Sequence, residues 1–198
     1  LSLTGGTGVT HTAAGDLTTG GTGTIGVTAT ANDITMADGT VYTAGSGTVT
    51  LLAAGNVVLG EITTTSSAIN VTATAGAITD VTAAVSETAN LTTSGTATLS
   101  AATGIGSGGG AADIDTTIGT LVATNATSGN IFVQETDGLI IGGTGVRTQG
   151  ANGNINVDVV ANALDVNSVV TADGSGTVTL NAGGLLTANA VVSSTTGA

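Results

Sequence analysis

A chain of 198 residues could fill one ordinary domain, but 33 glycines, no proline, no cysteine, and Tyr42 and Phe132 as its whole aromatic complement exclude a globule packed around large rings. A formal charge of −12, with 13 acids against the single basic side chain Arg147, excludes a nucleic-acid surface and disfavours anionic membranes. No disulfide or thiol nucleophile is available, and no apolar run reaches the roughly 18 residues of a transmembrane segment.

Hydrophobic residues make up 40% of the chain, too many for a disordered linker, while charged residues at 7% leave Thr, Ser, Asn and Gly to cover the surface. From the N-terminus one unit recurs: glycine with Thr or Asn, a branched residue, any residue, a second branched residue. It reads GTVTL at 47–51, GTATL at 95–99, GNIFV at 129–133, GNINV at 153–157 and GTVTL at 176–180, with looser copies at 1–3, 23–27 and 67–71. The second branched residues are Leu3, Val27, Leu51, Val71, Leu99, Val133, Val157 and Leu180, at steps of 24, 24, 20, 28, 34, 24 and 23. No stretch has helical periodicity, and glycine and β-branched residues oppose helix.

Alternation extends to a third inward position at Ala29, Ala53, Ala73, Ala101, Val159 and Ala182. Glu135 breaks the series, so its strand is expected to turn out of the wall early. A second short strand is predicted at 34–36, 57–59, around Ile78 and Ile105, and at 139–141, 164–166 and 185–186. A third is predicted at Val41, Ile62, Leu91, Leu121, Val146, 169–170 and 191–192. Three short strands and their turns make a coil of about 24 residues, so the expected fold is all-β: a right-handed parallel β-helix, one solenoid over residues 1–198. Seven to eight coils would span about 35–40 Å at the parallel-strand spacing. The two long steps predict loop insertions near 82–89 and 106–117. Neither end carries a capping helix or a charged edge, which predicts a longer solenoid or end-to-end stacking of copies.

Chemistry is sparse. His11, the sole histidine, lacks an acid or thiol at a familiar spacing and is expected as an outward or turn residue; no G-x-S-x-G elbow occurs. The chain therefore reads as non-enzymatic, with no cofactor. The one metal candidate is calcium at a corner, held by Asp113, Asp115, Glu135 and Asp137 with backbone carbonyls; solvated acids are the simpler account. Sequons at Asn70, Asn90 and Asn125 read equally well as ladder residues. An ice-binding array is disfavoured, because the outward row Ser2, Gly26, Thr50, Asn70, Thr98, Phe132, Asn156, Thr179 is irregular.

The GTVTL and GNINV units and their Thr/Ala/Gly/Asn-rich filler make the whole chain resemble the repeat regions of filamentous-haemagglutinin-like large bacterial exoproteins and autotransporter adhesins. The resemblance implies a right-handed parallel β-helix, secretion, and an extracellular position on a Gram-negative surface. The expected role is a structural stalk, fibre or adhesive segment. A self-assembling subunit of a filament or surface layer is the alternative. Expected partners are adjoining coils or copies of the chain, and host or surface glycans or proteins.

Overall fold

The computed structural model describes residues 1–82, 88–108 and 112–195. Alternating branched and small residues form short parallel strands, three to a turn, stacked into a β-solenoid of about 8 turns roughly 24 residues apart. A single coil cannot bury its apolar side chains; stacking closes the backbone ladder and lays like upon like.

The first wall begins with Ser2–Gly5, Ile25–Ala29, Val49–Ala53 and Ile69–Ala73, where Leu3, Val27, Leu51 and Val71 lie in register. It continues through the later residues of the long strands Leu91–Ala101, Ile114–Asn125 and Leu139–Thr148, with Val71 beside Leu99, Leu99 beside Ala123 and Ala123 beside Val146. Val170–Ala172 and Val192–Ser194 complete it.

The second wall stacks Val9–His11, Ile34–Met36, Val57–Leu59 and Ile78–Asp80. Ile105 then bridges Ile78 to Ile131, and the wall passes into Ile131–Glu135, Ile155–Val159 and Val178–Ala182. Leu17, Tyr42, Ile62, Leu91 and Thr116 stack on the third wall. Towards the C-terminus that wall consists of Leu139, Leu164 and Leu186 with their strands.

Leu99 and Val133, successive copies of one sequence unit, therefore stand on different walls. The step of 34 residues between them is one turn plus one wall. Every GTVTL-like unit after it lies on the second wall, whereas those before it lie on the first. At the change, the second wall carries Ile105 opposite Ile131 and then Ile114 opposite Val133. The chain leaves the wall after Ile105 and rejoins it at Ile114, opposite two successive inward positions. The Ser107 amide donates to the Ala112 carbonyl at 2.6 Å across the base of this excursion. Phe132 packs beneath it: a Cβ on Gly108 would lie 2.8 Å from the ring.

The second predicted insertion thus ends sooner than its sequence limit, since Ile114 already belongs to strand Ile114–Asn125; its residues 109–111 lie outside the described residues. The first, at 82–89, falls outside them over 83–87.

The interior is a column of branched side chains, among them Ile25, Val49, Ile69, Ile131 and Ile155, all essentially inaccessible. Two inward assignments change. Tyr42 rather than Val41 fills the third wall, and His11 points inward, its ring edge-on to Tyr42 at 5.3 Å with Nδ1 2.7 Å from the Gly15 carbonyl oxygen. The small-residue row that starts with Ala29, Ala53, Ala73 and Ala101 becomes polar at Asn125 and Thr148. Both remain satisfied at one end at least. The Asn125 amide donates to the Ser128 and Gly129 carbonyls, and the Thr148 hydroxyl donates to Gly153 and accepts from the Asp173 amide.

Corners are tied across coils by Asx side chains. Asp33 accepts from the Asn56 amide and Asn56 from Ala77; Asn130 accepts from Asn154 and Asn154 from Thr177, at 2.7–2.9 Å. Such bonds satisfy turn amides that no strand pairs. Among the described residues no helix is long and apolar enough to cross a membrane.

Candidate functional site

Glu135 is the last residue of strand Ile131–Glu135, and the pleat turns it inward, where it is 0% exposed. Its strand does not turn out early as expected; the carboxylate is held by donors that the change of wall leaves without ladder partners. Oε2 accepts from the Thr116 hydroxyl at 2.7 Å and the Ile118 amide at 3.0 Å, and Oε1 from the Asp137 amide at 3.3 Å. The pairing of strand Ile114–Asn125 passes from Glu135, beside Thr116, to Ile140 on strand Leu139–Thr148, beside Thr120. Ile118 falls in that gap, and the carboxylate fills it. Burial pushes the Glu135 carboxyl up to about 7; the three donors pull against burial, and the Asp137 side chain adds to it.

Of the other acids only Asp137 adjoins this one. Asp137 Oδ1 accepts from the Gly138 amide at 2.8 Å within the turn. Asp113 is buried and its carboxyl is raised, first by burial and then by the charges of Asp158 and Asp80, against a lowering backbone hydrogen bond. Asp115 pairs in the ladder with Gln134, while its neighbour Thr116 pairs with Glu135. Adjacent strand residues face opposite sides, so Asp115 points outward from the wall that Glu135 faces inward. Asp113, Asp115, Glu135 and Asp137 consequently do not converge on one calcium shell. Among the described residues no group of three or more His, Cys, Asp or Glu side chains could hold a metal ion.

Outside the same corner runs a cleft of about 360 Å³ with Thr63, Thr65, Thr92, Ser94, Thr117 and Asp137 on its lining. Its floor belongs to an outward row in strict register: Thr18, Thr43, Thr63, Thr92 and Thr117. Each rung offers a hydroxyl donor and acceptor at about the 4.8 Å coil spacing. Sequence reasoning missed this row, having followed the outward residues of the first strand only. The signal was the residue after each third-strand apolar position, Leu17-Thr18, Tyr42-Thr43, Ile62-Thr63 and Leu91-Thr92.

Two sequons are structural. Buried Asn90 donates to Asp80 at 2.8 Å and accepts from the Asp115 amide at 3.0 Å, and Asn125 is buried in its turn. Asn70 lies on the outward row of the first wall. Comparison with family models, curated proteins and solved structures returns no match. What the geometry defines is a class, a three-walled parallel β-solenoid with a hydroxyl-rich exterior that carries a net negative charge.

Proposed function

We propose that this chain is a non-catalytic structural segment, the stalk, fibre wall or adhesive surface of a secreted bacterial exoprotein on the outer surface of a Gram-negative cell. The observation that carries this reading is the stack of parallel coils on three walls around a predominantly apolar column. Such a stack is extended along one axis, touches only nearest neighbours and lengthens by adding coils. Its exterior of threonine and asparagine, with a net charge of −12, favours solubility while leaving ladders of hydroxyls for contact. Antibodies to the folded chain should label intact producing cells, and external protease should remove the label; a signal that appears only after lysis would refute the surface assignment.

A second reading, a self-assembling filament subunit, is favoured by the in-register parallel stacking itself, since a coil that pairs with its neighbour in the chain can pair in the same way with a coil of a second copy. Sedimentation velocity separates the two: growth of the sedimenting species with concentration supports assembly, and a monomer at every concentration refutes it.

A further inference from the structure

Arg147 is the only Lys or Arg among 198 residues that include 13 acids. It projects outward from the first wall, beside Thr124 of the preceding coil and Thr171 of the following one. A guanidinium thus replaces a hydroxyl in a threonine row. In so acidic a chain an ion pair would be easy to make, yet Arg147 has none among the described residues. Its Nε is enclosed and lacks a hydrogen-bond partner, although the side chain as a whole is only half-buried. That enclosed atom is beyond the reach of a ligand, so an acceptor brought from outside would meet the terminal guanidinium N–H groups on the half-buried side that lines the cleft.

The surroundings restrict that acceptor. Arg147 lines a cleft of about 370 Å³ with Gln149, Val169, Thr171, Asp173 and Thr195, a volume within the range of small-molecule sites. The Thr171 hydroxyl is 3.2 Å from the Ser193 hydroxyl, which leaves it further hydrogen-bonding capacity. Gln149 contributes an exposed amide side chain, and Val169 a small apolar patch. Asp173 in the same cleft, together with the net charge of −12, opposes multiply charged groups; one guanidinium beside one carboxylate suits a monoanion. The planar donor fork matches a planar carboxylate. Hydroxyl and amide neighbours around an apolar spot match the ring of a sugar.

We propose that Arg147 anchors a binding site on the first wall for a carboxylate-bearing sugar, with Gln149 and Thr171 meeting its hydroxyls. The site goes beyond the structural role and stands whether or not the chain is displayed on a cell.

The test is a titration of the purified chain, followed by NMR, with glucuronate, glucose and acetate. Glucuronate should shift resonances of Arg147, Gln149 and Thr171, and glucose should shift none. Acetate should bind at least about tenfold more weakly than glucuronate, since a contact worth about 1.4 kcal/mol is tenfold in affinity. Arg147→Gln should abolish the response, and Arg147→Lys, which keeps the charge but not the fork, should weaken it at least about tenfold. Thr171→Val should weaken it without altering the fold, giving a check if Arg147→Gln melts early. Silence of the wild type towards glucuronate, equal binding by Arg147→Gln, or equal binding of acetate or glucose would overturn the proposal.

Discussion

Replacing Glu135 with glutamine should change how stability depends on pH. In the unfolded chain this carboxyl releases its proton near its ordinary value of 4.5, and in the folded chain only near 7. Between those values the folded state holds more protons, so its stability falls as pH rises through that window and levels off above it. A displacement of this size corresponds to about 3 kcal/mol at roughly 1.4 kcal/mol per pH unit. The side chain is fully buried, so screening by solvent does little to reduce the figure. The substituted amide would keep an oxygen for the Thr116 hydroxyl and Ile118 amide; its NH2, in place of Oε1, would give up the 3.3 Å bond from the Asp137 amide and face the Asp137 side chain, without titrating. Chemical denaturation at a series of pH values should find the two proteins alike near pH 4 and the Glu135→Gln variant more stable by about 3 kcal/mol near pH 8. In a chain of this length that is a difference in Tm of roughly 6–12 °C. Asp113, raised in the same direction, contributes equally to both curves. Parallel curves across the whole range would refute the assignment of a neutral, buried carboxyl to Glu135.

Tyr42 is wholly buried with a hydroxyl that has no hydrogen-bond partner, and burial pushes its pKa upward. Tyr42→Phe should leave stability unchanged or raise it by about 1 kcal/mol in urea melts; a clear loss would show that the hydroxyl is satisfied. Leu51→Ala opens the inner column between Val27 and Val71 and should cost about 2–5 kcal/mol in the same assay. Gly145 has φ +86°, and a Cβ there would fall on the Val169 carbonyl of the next coil; Gly145→Ala should cost more than about 2 kcal/mol. Asn154→Ala removes the acceptor of the Thr177 amide and should cost about 1 kcal/mol, seen as faster hydrogen exchange at Thr177.

Much of the fold was legible because period-two alternation is a local property. The GTVTL and GNINV units sit on strands with the expected inward residues, and the Ala row beside them is buried. Which wall a unit occupies is not local. GTATL at 95–99 and GNIFV at 129–133 obey the same pattern, and only the path from Ile105 through the excursion to Ile114 places them on separate walls. Tyr42 is not marked as inward locally, because Val41 beside it suits either face; the difference lies in its partners Leu17 and Ile62. The inward position of Glu135 was illegible for a different reason. An isolated acid at an apolar position predicts exposure, and the donors that compensate it come from residues 17 and 19 positions earlier. Nothing local marks Arg147 as a binding residue, since apart from Thr148 and Gln149 its neighbours in the cleft lie on later coils.

The passage of the repeat from one wall to the next governs what an approaching partner meets. Because the recurring unit changes sides midway, its outward residues face one direction as far as Leu99 and another from Val133 onward. A surface-bound partner matched to one half would leave the other half's copies facing away from it. A single chain can therefore present one decoration on two sides of the same shaft, engaging two partners at once or keeping a second set of contacts in reserve while the first is occupied.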